Sequence, residues 1–194
     1  MENITATAQN IESAIRTLIA SIGENPDREG LIDTPHRIAK MYGEIFRGYD
    51  PQQKPKITTF YNDMQSTDII FDTGNYYSMC EHHILPFFGR YYFAYIPDKN
   101  GKILGISKVA RVVGYCSARL QLQERLAQDI VKMLGDALGK YEGMAIVMKG
   151  QHLCKTMRGV KNNGEMTTAY LSGVFKADMQ ARAEFYKLIE MQGG

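Results

Sequence analysis

The spacing of apolar residues changes along the chain, and the changes divide it into helical ends around a strand-rich middle. Ile11, Ile15, Leu18, Ile19 and Ile22 fall at helical spacing, and Gly23 is placed to end that helix. After the polar stretch ENPDREGLID, Thr34 and Pro35 supply an N-cap and a first-turn proline for a second helix. Its apolar stripe is Ile38, Met41, Tyr42, Ile45 and Phe46, ended by Gly48. Between Lys56 and Pro97 the pattern shortens to β-rich runs (KITTF, TDIIF, RYYFAYIP) separated by Asn, Asp, Gly and Pro, which predicts antiparallel strands. A long helical region follows from Ser107 to Gly139, through Val109, Val112, Val113, Cys116, Leu122, Leu126, Ile130, Met133, Leu134 and Leu138, with a bend allowed in its middle. GMAIVMKG and TTAYLSGVF predict two more strands, and a closing helix starts near Asp178 on Phe185, Leu188 and Ile189. Helices at the ends with grouped strands between them favour an α+β fold over a doubly wound sheet.

Composition narrows the class without naming a function. The chain has 194 residues, 44% hydrophobic and 23% charged, enough to bury a core without disulfides. Lys and Arg number 23 against 21 Asp and Glu, a net charge of +2, so no general field favours nucleic acid or an anionic membrane, and any anion site must be local. Three widely spaced cysteines, Cys80, Cys116 and Cys154, make no disulfide framework and fit a reducing compartment. The segment MENITATAQN has neither a basic nor an apolar leader region, and no run is long enough to span a bilayer, so a cytoplasmic protein is expected.

Chemistry concentrates first at Cys80, Glu81, His82 and His83, which are consecutive and lie just before Pro86. Cys80 and His83 are three apart, a spacing that lets one turn of chain direct a thiolate and an imidazole at one tetrahedral ion. A third donor is sought in His152 and Cys154, which would share a face if they lie on a strand. Three protein ligands leave a position for water, and nitrogen with sulfur selects zinc over magnesium or calcium. The bland alternative is that the thiols are small buried apolar groups and the histidine pair a polar turn. Cys116, on the apolar face of the long helix, takes that alternative.

A second cluster suits an anion. Ser107, Lys108 and Arg111 open the long helix, where free amides and the helix dipole add positive potential. Arg111 can hold a phosphate through its two-pronged guanidinium, and Arg158 can bring another cation toward Cys154; a solvated basic face is the competing explanation. Gln123 and Glu124 lie among core positions, and a carboxylate facing a pocket would accept from the N1–H and 2-amino group of guanine, a donor pair adenine lacks.

With these residues in view, the chain resembles GTP cyclohydrolase I enzymes over nearly its whole length. The resemblance is carried by GENPDREGL with TPHRIAKMY, SMCEHHILPFFG, YIPDKNGKILGISKVARVV, RLQLQERL, and HLCKTMRGV with LSGVF. It implies zinc-dependent opening of the guanine imidazole ring of GTP at C8, giving formate and 7,8-dihydroneopterin triphosphate. It further implies Cys80, His83 and Cys154 as zinc ligands, with His82 as proton donor and His152 and Ser107 as further catalytic groups. Glu124 with Gln123 would bind guanine, and Lys108, Arg111, Arg158 and Arg37 the ribose and triphosphate. The implied architecture is the tunnelling fold, an antiparallel sheet with long helices on one side, in residues 51–194 behind a helical region at 1–50. Subunits of that fold join into a ring, usually a decamer with active sites between subunits. The chain departs from the expected pattern at Ala127 and from Gly164 to Ala169, where a hydroxyl-rich run is expected.

Overall fold

The first helix ends where the spacing predicts. The structure, a computed structural model, describes residues 4–193. Helix α1 spans Ile4–Ser21, and Gly23 follows at φ +90° while Glu24 N–H donates to Ile19 O, closing the helix through the left-handed conformation that glycine tolerates best. Helix α2 spans Thr34–Ile45 with Pro35 in its first turn, but Asp33 and not Thr34 is its N-cap, without a side-chain capping bond, and the helix ends at Phe46 before Gly48 is reached. The chain falls into two compact units that divide between Arg47 and Gly48.

The second unit is built on two sheets. A small one pairs β1 (Thr59–Tyr61) with β4 (Lys102–Leu104). The large one contains β2 (Ile70–Cys80), β3 (Pro86–Pro97), β5 (Leu120–Gln121), β6 (Tyr141–His152) and β7 (Met166–Gly173), in the order β5-β2-β3-β6-β7. All its pairings are antiparallel except the short parallel addition of β5 to β2. Period-two alternation sorts the central strands. Phe87, Tyr91, Phe93 and Tyr95 of β3, with Met144, Ile146 and Met148 of β6, face one core. Tyr92, Ala94, Ile96, Ala145 and Val147 face the other. Strands covered on both faces read as near-continuous apolar runs, which explains RYYFAYIP and GMAIVM. Gly89 lets β3 and β6 approach closely, because a Cβ there would lie 1.9 Å from the Lys149 carbonyl oxygen.

Helices α3 (Lys108–Ser117) and α4 (Gln123–Leu138) cover the first face with Val112, Val113, Leu126, Ile130 and Leu134, giving the layered α+β arrangement of the tunnelling fold. On the second face Phe175 of the short helix α6 (Val174–Ala177) joins Phe185 and Ile189 of α7 (Met179–Met191), whose N-cap Asp178 accepts from Gln180 N–H. The predicted single long helix is two. It stops at Ala118 so that Leu120 and Gln121 can pair with Met79 and Cys80, and Gln123 then opens a fresh helix start beside the end of β2. Among the described residues β7 pairs only with β6, and the Ile70–Ser78 stretch of β2 only with β3. No helix among the described residues is long and apolar enough to cross a membrane.

Candidate metal centre and active site

Strand β2 delivers Cys80, and the chain reverses at once into β3. Ile84 N–H donates to Cys80 O at 2.9 Å and Cys80 N–H to Leu85 O at 2.8 Å, closing a tight turn. Ile84 takes φ +52°, a conformation that costs a β-branched residue about 1–3 kcal/mol. The turn is anchored to β5 and the start of α4: Glu81 N–H donates to Gln121 O, and Arg125 forks onto the Glu81 carboxylate at 2.6 and 3.1 Å. The guanidinium holds that carboxyl below its ordinary pKa.

Cys154 reaches the turn by a different route from the strand predicted for it. Strand β6 ends at His152, and Leu153–Thr156 forms a one-turn helix, α5, with the Thr156 hydroxyl donating to His152 O at 3.0 Å. The helical turn carries Cys154 toward Cys80, so strand alternation is not what brings it there. One donor atom each from Cys80, His83 and Cys154 lies within 4.8 Å of the others. The Cys154 thiol donates to Cys80 Sγ at 3.8 Å, and burial, reinforced by that neighbouring thiol, pushes it above the ordinary thiol pKa. Two thiols and an imidazole converging from a rigid strand end, a turn and a short helix fit a metal of borderline-soft character and leave a coordination position open.

The groups around this cluster are charged or able to move protons. His82 is exposed, with Nδ1 3.9 Å from Cys80 Sγ. Arg158 Nη1 donates to His83 Nε2 at 2.6 Å, bringing a cation to the cluster's edge. Because guanidinium only donates, His83 meets it with a bare Nε2 and carries its proton on Nδ1, so a metal held by either ring nitrogen would replace the Arg158 hydrogen bond. His152 lies flat on Phe87, ring centroids 4.6 Å apart and planes at 8°. Burial lowers its pKa, and the Glu124 carboxylate is close enough to oppose that shift. Glu124 itself is exposed in the first turn of α4. Gln123, expected at the substrate, is 1% exposed and turned inward, where its amide is fully engaged.

The anion candidates stand at the start of α3. Ser107 occupies the N-cap position without a side-chain capping bond, leaving its hydroxyl exposed. Arg111 is exposed and Lys108 half-buried, and neither has an ion-pair partner among the described residues. Arg37 belongs to the amino-terminal unit, on α2, where its guanidinium lies 3.2 Å from the Asp33 carboxylate. A cavity of about 630 Å³ between α4 and β6–β7, lined by Asp129, Lys132, Tyr141 and Tyr170, contains none of these candidates.

Comparison with known proteins decides the family. The GTP cyclohydrolase I family model matches residues 11–190. The chain belongs to the GTP cyclohydrolase I family. It is 48% identical to GTP cyclohydrolase 1 of Caldanaerobacter subterraneus subsp. tengcongensis over 93% of this chain and 96% of that protein. It is 46% identical to the enzyme of Thermoanaerobacter pseudethanolicus over the same shares, and 42% identical to that of Bacillus subtilis over 95% and 96%.

Membership in the family frames what pattern reading left out. Tyr76, Phe87, Arg125 and Thr168 all support the cluster or its flanking histidine. Tyr76 was findable, because it lies four residues before Cys80 and therefore on the same face of β2. Thr168 carried no local signal, since only the pairing of β7 with β6 brings it to Gln123.

Proposed function

We propose that this protein opens the imidazole ring of the guanine of GTP at C8 and releases formate, forming 7,8-dihydroneopterin triphosphate. The observation that carries this is the three-donor cluster of Cys80, His83 and Cys154 with His82 beside it and His152 close in sequence, an arrangement a closed structural metal site does not need. Those three residues would hold zinc, which when bound supplies Lewis acidity that makes water a nucleophile at neutral pH. The chain's own groups do the rest. His82, exposed beside the cluster, delivers a proton to the purine nitrogen as C8 becomes tetrahedral. A second hydration releases formate, and His152 and Ser107 serve the later proton transfers that open the ribose and close the pterin ring, with loss of one water. Glu124 accepts from guanine N1–H and its 2-amino group. Lys108, Arg111 and Arg158, with Arg37 from the helical region at 1–50, neutralise the triphosphate, aided by the start of α3.

The open edges of β2 and β7 support ring assembly, in which strands of neighbouring subunits pair and the anion-binding cations come from more than one chain. The assembly proposed is a homodecamer in the cytoplasm, where a reducing setting keeps Cys80 and Cys154 available as ligands. The test is incubation of zinc-loaded protein with GTP while formate and pterin fluorescence are both followed. Formate together with pterin is expected. Formate without pterin would leave only the ring-opening half of the reading, and neither product would overturn it.

A further inference from the structure

Gln123 makes more side-chain contacts than any substrate-binding role requires. Its Nε2 lies 2.9 Å from Met148 O, 3.1 Å from Met166 O and 3.1 Å from the Thr168 hydroxyl, its two N–H groups shared among these three acceptors, while its Oε1 faces the Tyr76 hydroxyl at 3.1 Å and His152 Nε2 at 3.0 Å. One side chain of α4 thereby joins β2, β6 and β7 at the end of the sheet that bears the metal cluster. The orientation of the amide is fixed by chemistry. Met148 O and Met166 O are carbonyls that can only accept, so the NH2 group must face them and Oε1 must face Tyr76 and His152. An oxygen cannot donate, so the His152 nitrogen that meets it carries a proton.

We infer that Gln123 is a positioning residue that holds His152 in the Nε2–H tautomer, leaving bare Nδ1 as the atom that exchanges protons with the substrate. Phe87 fixes the plane of the ring by stacking, and Gln123 fixes its rotation within that plane. Gly150 keeps the space open, because a Cβ there would lie 2.1 Å from the Tyr76 hydroxyl and 2.7 Å from Gln123 Oε1. Thr168, within the stretch that departs from the expected hydroxyl-rich pattern, completes the donor side. The inference rests on the proposed reaction for the use of Nδ1 but not for the tautomer itself.

The tautomer is read by solid-state 15N spectroscopy of zinc-loaded protein labelled in histidine, which has only four such residues. His152 is identified by the signal lost in His152→Gln. A protonated Nε2 and bare Nδ1 are expected in the wild type, and a proton on Nδ1 overturns the inference whether or not any variant folds. In folded Gln123→Met the ring should populate both tautomers, and kcat for GTP should fall about 10- to 100-fold, the scale of losing a group that orients a functional histidine, with KM within about twofold. A rise in KM with kcat unchanged would make Gln123 a substrate-binding residue and overturn the inference. If the wild type releases no formate, the proposed reaction fails while the ring spectrum still decides the tautomer.

Discussion

At the scale of single residues, burial and partners separate groups that are chemically alike. The chain has three cysteines, but Cys116 is fully buried on α3 and its thiol pKa is pushed up to about 12 by burial, whereas Cys80 and Cys154 lie side by side at a strand end. Cys116→Ala is therefore expected to leave zinc stoichiometry unchanged while costing about 1 kcal/mol of packing. Loss of metal in that variant, measured by elemental analysis, would show that the wrong thiol has been assigned. Among the described residues Glu124 has no hydrogen-bond or ion-pair partner that would account for a carboxylate in the first turn of α4, though it lies near His152. Converting one acceptor oxygen to a donor in Glu124→Gln should cost about 1–3 kcal/mol of transition-state binding, roughly 5- to 150-fold in kcat/KM for GTP, in a protein that stays folded. Unchanged kinetics would return Glu124 to the solvated surface.

At the scale of elements, the strands were legible because β3 and β6 carry uninterrupted apolar runs, α2 because its apolar stripe follows a first-turn proline, and α7 because its Asp178 cap is local. The break between α3 and α4 was not, since Arg119 to Leu122 leave helical geometry to reach β2, a partner distant in sequence. The same reason hid the arrival of Cys154 through a helical turn and the inward role of Gln123. Pairing of β2 with β3 also brings Tyr91 onto Asp72, its hydroxyl donating at 2.8 Å. Burial raises the Asp72 carboxyl above its ordinary value, against the pull of that hydrogen bond. The folded state thus holds this proton more tightly than the unfolded state, a contribution fully present below the ordinary carboxylate value and lost as pH rises through the folded one. At neutral pH the half-buried charge is a burden that Asp72→Asn removes while keeping an acceptor for Tyr91. The variant should melt higher than wild type at neutral pH, with the gain shrinking below about pH 4. A gain that does not depend on pH would contradict this account of the pair.

At the scale of the whole molecule, one subunit supplies a donor cluster, a helix start rich in cations and a sheet with unpaired edges. Exposed apolar side chains such as Ile106 at 93%, next to Ser107, and Val160 at 78%, close to Arg158, place dry surface beside the charged candidates. Native mass spectrometry should find ten copies of the 21.9 kDa chain in active protein. A fully active monomer would contradict the proposed assembly and would require all phosphate contacts to come from one chain.

The central claim is that the turn from Cys80 to His83 assigns metal binding to one histidine and proton transfer to its neighbour. Metal stoichiometry and formate release measured together on His82→Ala and His83→Ala test it most directly. His83→Ala should lose zinc and activity together, because two thiols alone hold the ion weakly. His82→Ala should keep zinc and bind GTP yet release formate about 100- to 10,000-fold more slowly, the usual worth of general acid catalysis. Zinc lost from His82→Ala and retained by His83→Ala would reverse the two roles and contradict the account.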